Sequence, residues 1–295
     1  MRILITGAAG QLGTELQRQL QNGQSALGAI PPQLLGAEVT GADLADGDLS
    51  VLAEARALVQ RAKPDVVFNC AAFTNVDAAE TQPDDAFAAN ALAPRNLAVV
   101  CEETGAKLVH VSTDYVFSGA GEVPFAESDL PRPASVYGKT KLLGEEYVRG
   151  FCRRWFIART SWLYGRTGGN FVKTMLRLVQ EQPEVRVVDD QRGNPTNAED
   201  LAHHLLRLAA TEEYGLYHIT GGGVCTWYAF ACEIARLAGA AGKIAPCTTA
   251  EFPRPAKRPQ NSALEHTMLR RTIGDEMRPW QQALAQYIEE LRTNP

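Results

Sequence analysis

No stretch of this chain approaches the roughly 18 consecutive apolar residues that a membrane-crossing helix needs. Nor does it hold a low-complexity segment or an internal repeat, which sets aside repeat arrays. Positive charge is short as well: 29 Lys and Arg stand against 34 Asp and Glu, a formal net charge of −5. That balance lacks the electrostatic footprint of a nucleic-acid binder. The six cysteines (70, 101, 152, 225, 232 and 247) form no CxxC pair and no finger-like spacing with histidine. Several lie inside apolar runs, and they are expected as reduced thiols, mostly core filler. The opening MRILITG has one basic residue and meets a glycine too soon for a signal peptide. The expectation is a cytoplasmic protein. What remains is an ordinary globular composition, 45% hydrophobic and 21% charged over 295 residues, enough for one large domain or two smaller ones.

Within that frame the N-terminus carries the first chemical signal. Residues 2–6 (RILIT) are a short apolar run, followed by Gly7, Gly10 and Gly13 in GxxGxxG spacing. Leu12, Leu16 and Leu20 then fall on one helical stripe. Strand, glycine turn and helix together let backbone N–H groups approach a pyrophosphate at the helix N-terminus. Ala37–Gly41 reads as a second strand ending at Asp43, where an acid meets the adenosine ribose hydroxyls and favours NAD over NADP. A loop delays that acid, and Asp46 and Asp48 compete for the role, so the choice between NADPH and NADH stays open. Leu49–Lys63 reads as an amphipathic helix and Val66–Ala72 as a buried strand whose small terminal residues allow close approach of a ligand. Residues 78–103 have helical pattern, with Asn90 as an inward polar candidate. Lys107–Ser112 is a further strand running into Thr113, Asp114 and Tyr115.

Tyr137 and Lys141 follow, four residues apart and so on one face of a helix. An ammonium near a phenol is expected to pull its pKa down from about 10, readying it to exchange a proton with a carbonyl oxygen. Strands are also expected at 155–160, 184–188 and 216–220, and helices at 170–182, 200–210 and 280–291. Alternating strands and helices call for a doubly wound parallel sheet of Rossmann type, with a smaller α/β substrate region toward the C-terminus. The expected division is 1–160 for the dinucleotide, with 184–212 returning to it, and 161–183 plus 213–295 for the substrate.

The glycines with Thr113, Tyr137 and Lys141 resemble the extended short-chain dehydrogenase/reductases. STDYVF (112–117), VYGKTKLLGE (136–145), RTSWLYG (159–165), NFVKTMLRL (170–178), DDQRGNPTNAEDLA (189–202), GLYHITGGG (215–223) and RPQNSAL (258–264) narrow the resemblance to the dTDP-4-dehydrorhamnose reductases. It runs from residue 1 to about 270. It implies NAD(P)H-dependent reduction of the 4-keto group of dTDP-4-dehydro-L-rhamnose. Tyr137 would then be the proton donor, Lys141 the holder of the nicotinamide ribose, and Thr113 a hydrogen-bond donor to the developing alkoxide. Cofactor contacts implied by the resemblance fall on Gly10, Gln11, Leu12, Asp43, Asp48, Leu49, Ala72, Phe73, Thr74, Tyr137 and Lys141. Substrate contacts fall on Thr113, Asp114 and Trp162, with Arg258 as a partner for the nucleotide diphosphate.

Some members of that family are dimers bridged by Mg2+, and Glu15 and Glu199 match two of the carboxylate positions. Both a monomer and a homodimer are therefore compatible with the resemblance. Three rival readings are an epimerase, a 4,6-dehydratase and a non-catalytic dinucleotide-binding subunit. The dehydratases carry an Asp-Glu pair after the threonine, whereas here Asp114 is followed by Tyr115. A regulatory subunit would have let the Tyr/Lys pair drift, and this chain keeps it.

Overall fold

The computed structural model describes residues 1–241 and 243–293. Six parallel strands make the central sheet: β1 (Arg2–Thr6), β2 (Glu38–Ala42), β3 (Val66–Asn69), β4 (Lys107–Thr113), β5 (Trp155–Thr160) and β6 (Gly215–His218). Their spatial order is β6-β5-β4-β3-β1-β2. The chain therefore reverses direction across the sheet between β1 and β3, and the carboxyl ends beside that switch point are where ligands bind. Thr6 is in register with Ala42 on one side and Asn69 on the other.

Side-chain alternation along the strands feeds two separate layers. Ile3, Ile5, Phe68, Val109 and Phe156 pack on one face against Leu12, Leu16 and Leu20 of helix α1 (Gln11–Asn22) and Leu201 and Leu205 of α6 (Ala198–Ala209). Leu4, Val67, Leu108 and Ile157 point to the other face. There they meet α2 (Leu52–Ala62), α3 (Ala93–Thr104) and α4 (Val136–Phe151) through Leu58, Leu97 and Val148. Each such aliphatic side chain removed from water contributes about 1.5–3 kcal/mol, which is why both faces of a parallel sheet are covered.

A second core gathers α5 (Phe171–Glu181), α7 (Trp227–Leu237) and α8 (Trp280–Thr293) around Phe230, Tyr164, Tyr287 and Trp280. The strand at 185–188 belongs here, paired in parallel with Ile244–Cys247. It does not return to the central sheet as the sequence reading expected; within 184–212, α6 is the helix that packs on α1. Conversely β6, expected in the substrate region, closes the edge of the central sheet against β5. The helical stretch read over 78–103 is broken into Val76–Thr81, Pro83–Phe87, a π-turn at Ala88–Leu92 and α3. Pro83 starts the second of these pieces, where its missing N–H is harmless.

Candidate active site

The glycine turn is dictated by space as much as by backbone angle. Gly7 has φ +69°, and a Cβ there would stand 2.7 Å from the Ala71 backbone nitrogen. At Gly13 a Cβ would fall 2.2 Å from the Gly7 carbonyl oxygen, so α1 can start close under the turn only without side chains. Gly10 caps α1 and offers no side-chain acceptor, which leaves first-turn N–H groups free for an anion.

Above the turn opens a cavity of about 780 Å³ along the carboxyl ends of the strands. Gly7, Gly10, Gln11, Leu12, Gly13, Asp43, Asp48, Leu49, Ala72, Thr74, Thr113, Asp114, Tyr137, Lys141 and Trp162 all line it. One continuous space thus joins the glycine turn to the Tyr/Lys helix. Phe73 does not line it. The Asn90 side chain accepts from the Phe73 N–H at 2.8 Å and donates to the Phe73 carbonyl at 3.1 Å, so residue 73 serves to tie its loop down.

At the β4 end, Thr113 Oγ1 donates to Asp114 Oδ1 at 2.9 Å and accepts from the Tyr115 N–H at 3.2 Å. Ser135 caps α4 by accepting from the Gly138 N–H, which sets where the helix begins and so where Tyr137 points. Burial pushes the Tyr137 phenol up to about 12, opposed by its hydrogen-bonding with Thr113. The expected lowering by Lys141 is absent. Its ammonium is itself almost fully buried, donates to the Val111 carbonyl at 2.6 Å, and is driven down to about 8 by desolvation. Desolvation wins over charge pairing at both groups. A phenol near 12 keeps its proton at neutral pH, as a donor to a forming alkoxide must. Asp114 is likewise pushed up to about 6 by burial, against hydrogen bonds that hold it down.

One turn beyond Lys141, Glu145 is fully buried and saturated. Its Oε1 accepts from Ser112 Oγ at 2.6 Å and Arg159 Nε at 2.9 Å, and its Oε2 from Arg159 at 2.7 Å. The Ser112 bond locks α4 to β4 one residue before Thr113, the Arg159 bonds tie α4 to β5, and the negative charge of Glu145 holds the Lys141 pKa higher than burial alone would. A glutamate in KLLGE and an arginine opening RTSWLYG are motif residues whose structural role was not read from sequence.

The chain matches the family model described as "RmlD substrate binding domain" over residues 1–293. It is 41% identical to the dTDP-4-dehydrorhamnose reductase of Shigella flexneri, with 99% of each chain covered. The chain belongs to the dTDP-4-dehydrorhamnose reductase family. Among solved structures it is similar to a dTDP-4-dehydrorhamnose reductase from Clostridium acetobutylicum, 46% identical with a TM-score of 0.93 over 99% of this chain and 100% of that one. The Bacillus anthracis dTDP-4-dehydrorhamnose reductase, solved in complex with NADP, is 39% identical with a TM-score of 0.91 over 98% and 99%. Members of this family are NAD(P)H-dependent oxidoreductases.

Two further sequence candidates of a dTDP-4-dehydrorhamnose reductase have distinct settings here. Trp162 adopts φ +46°, a strained conformation for a bulky residue. It stacks on Trp227 with ring centroids 3.6 Å apart. Trp227 also lines the cavity and was missed in the sequence, where no role was read for it. Arg258 lies outside the main cavity, in a second cleft of about 530 Å³ with Arg254 and Lys257. Its guanidinium is 3.0 Å from Asp77 and 6.0 Å above the ring of Tyr115, a residue of the main cavity, so the two spaces adjoin.

The metal candidates do not fit a cation. Arg18 places one guanidinium nitrogen 2.6 Å from both Glu15 Oε1 and Glu199 Oε1. Arg166 lies 3.9 Å from Glu15 Oε2 and 2.7 Å from Glu290. The carboxylates are neutralised by arginine, and Glu199 Oε2 alone is left without a partner. Among the described residues no group of three or more His, Cys, Asp or Glu side chains is disposed to hold a metal.

Proposed function

We propose that this protein reduces the C4 ketone of dTDP-4-dehydro-L-rhamnose to give dTDP-L-rhamnose. The observation that carries the reading is the single cavity joining a glycine turn at α1 to Thr113, Tyr137, Lys141 and Trp162. A nicotinamide dinucleotide held by Gly10, Gln11, Leu12, Asp43, Asp48, Leu49, Ala72, Thr74 and Lys141 would supply the hydride. Tyr137, protonated at neutral pH, gives its proton to the C4 oxygen as negative charge builds there. Lys141, fixed between Val111 and the charge of Glu145, hydrogen-bonds a ribose beside the reacting carbon. Thr113 has one proton, and it turns from Asp114 toward the C4 oxygen in the transition state. The stacked Trp162 and Trp227 form an apolar wall for the sugar face. Arg258, with Lys257 and Arg254 beside it, meets the diphosphate at the junction of the two clefts.

Residue 115 argues against the dehydratase reading, since a tyrosine whose phenol burial pushes well up has no carboxylate role in removing water. We place the protein in the cytoplasm: its six cysteines are all unpaired, and no described helix is long and apolar enough to cross a membrane. The functional division follows the two cores, with the central sheet serving the dinucleotide and the α5-α7-α8 core carrying the sugar nucleotide. The test is oxidation of NADH or NADPH by purified protein, with the keto-sugar nucleotide generated by upstream enzymes. Turnover dependent on the sugar supports the reductase. Dinucleotide binding without turnover would point to a regulatory subunit or a different keto-sugar.

A further inference from the structure

We infer that Asp43 makes this site select NADH over NADPH, an inference that rests on the cavity taking a nicotinamide dinucleotide. The sequence left three acids in contention for the adenosine ribose, and the structure separates them. Because Thr6 and Ala42 are in register, Asp43 leaves β2 beside the point where Gly7 leaves β1. Its Oδ2 accepts from the Ala9 N–H in the glycine turn at 3.0 Å, which fixes the carboxylate at the turn itself. Its own N–H donates to Asp46 Oδ2 at 2.9 Å, so Asp46 is spent on holding the backbone of Asp43. Asp48 Oδ1 accepts from the Ser50 N–H at 2.8 Å, and the Asp48 N–H donates to Glu54. The Asp43 side chain also accepts from the Asp46 N–H, and of the three it is the acid bonded to the glycine turn while lining the cavity.

The charge around it has one sign. Asp43, Asp46, Asp48 and Glu54 are neighbours at this end of the cavity. Among the described residues that line the cavity, Lys141 is the one cation, and it is bound to Val111 beyond the switch point. The glycine turn carries Ala8 and Ala9, and Leu44 follows Asp43 with 78% of its surface exposed. A ribose 2′-hydroxyl can donate to the Asp43 carboxylate. A 2′-phosphate has no proton to give at neutral pH and meets only carboxylates, with no guanidinium or ammonium to receive it. The NADP bound by the Bacillus anthracis relative makes the expectation a sharp one for this chain.

The test uses binding alone. NADH, NADPH, 5′-AMP and 2′-phospho-5′-AMP are titrated calorimetrically into wild type, Asp43→Asn and Leu44→Arg, without sugar, at low and high salt. Wild type should bind NADH roughly tenfold or more tighter than NADPH, since like charges brought together weaken a complex by at least that factor. The AMP pair should show the same order, and salt should narrow the gap, because Asp43 is exposed and screened. Asp43→Asn should narrow it mainly by tightening NADPH. Leu44→Arg, at an exposed position that does not threaten folding, should do so more strongly. NADPH binding to wild type as tightly as NADH, or a ratio unmoved in both variants, would overturn the inference. If neither dinucleotide bound, the cofactor reading would fall and this one with it. If NADH bound preferentially but the keto-sugar were not reduced, the inference would stand while the substrate assignment fell.

Discussion

Tyr137 shows how far four letters of spacing reach. YxxxK places the phenol and the ammonium on one face of α4, but the sign of the electrostatic effect depends on depth, which the pattern does not carry. Burial raises the phenol and lowers the ammonium, the reverse of simple pairing. Replacing Tyr137 with Phe should leave dinucleotide affinity nearly intact while lowering kcat by roughly 100- to 10,000-fold, the loss typical of a general acid. Single-turnover kinetics would check this, and unchanged turnover would remove Tyr137 from the mechanism. Because Lys141 titrates near 8, dinucleotide affinity should fall as pH rises through that value and the ammonium is lost. In Lys141→Met affinity should be weaker and flat with pH, as read by titration calorimetry across the range. Asp114 gives a stability signature of opposite kind. Its folded pKa of about 6 lies above the ordinary 3.8, so the native state binds the extra proton between those values. Stability from this group is therefore full at low pH and declines as pH rises from about 4 to 6, by on the order of 2–3 kcal/mol. Denaturant melts of Asp114→Asn should lack that decline.

At the scale of elements, α4 approaches its neighbours more closely than its sequence suggests. A Cβ on Gly144 would stand 2.2 Å from the Asn90 carbonyl oxygen in the π-turn. The Asn90 side chain in turn holds both backbone polar groups of residue 73 and donates to Thr140 of α4 at 3.3 Å. Gly144→Ala should therefore push the Tyr/Lys helix off this seat. We expect a loss of about 1–3 kcal/mol in denaturant melts, as for other overpacked sites, together with lower kcat, because Tyr137 and Lys141 ride on the same helix. Wild-type stability in that variant would show that the turn yields freely. The strands of the central sheet were legible because runs such as VVFN and KLVHVS can only be buried. The break in 78–103 was not, since a π-turn inserts a residue without altering which residues are apolar. The strand at 185–188 was legible as a strand, yet its partner lies about sixty residues on, and alternation says nothing about partners. Trp227 and Glu145 escaped notice for a related reason: each gains its role from a contact with an element far along the chain.

Across the whole molecule, the glycine-turn helix is joined to the C-terminal elements by ions. Glu15 on α1 and Glu199 on α6 share Arg18, while Arg166 connects Glu15 to Glu290 on α8. Glu15 and Glu199 are each 5% exposed, so without a cation between them they would repel each other in a partly desolvated setting. The guanidinium of Arg18 meets that requirement from within the chain, and adds a bond from its Nε to Glu15 at 3.0 Å that fixes orientation as well as charge. A divalent ion would have to displace it. EDTA should accordingly leave both the melting temperature and the sedimentation coefficient unchanged. Arg18→Met should lower stability by about 2 kcal/mol, below the 3–5 kcal/mol of a fully buried pair because its side chain is 30% exposed. Added Mg2+ should recover part of that loss in Arg18→Met, where the two carboxylates are left facing each other, and do nothing for wild type. A wild-type melting temperature that rises with Mg2+ and falls with EDTA would mean that the ion, and not the arginine, joins these helices.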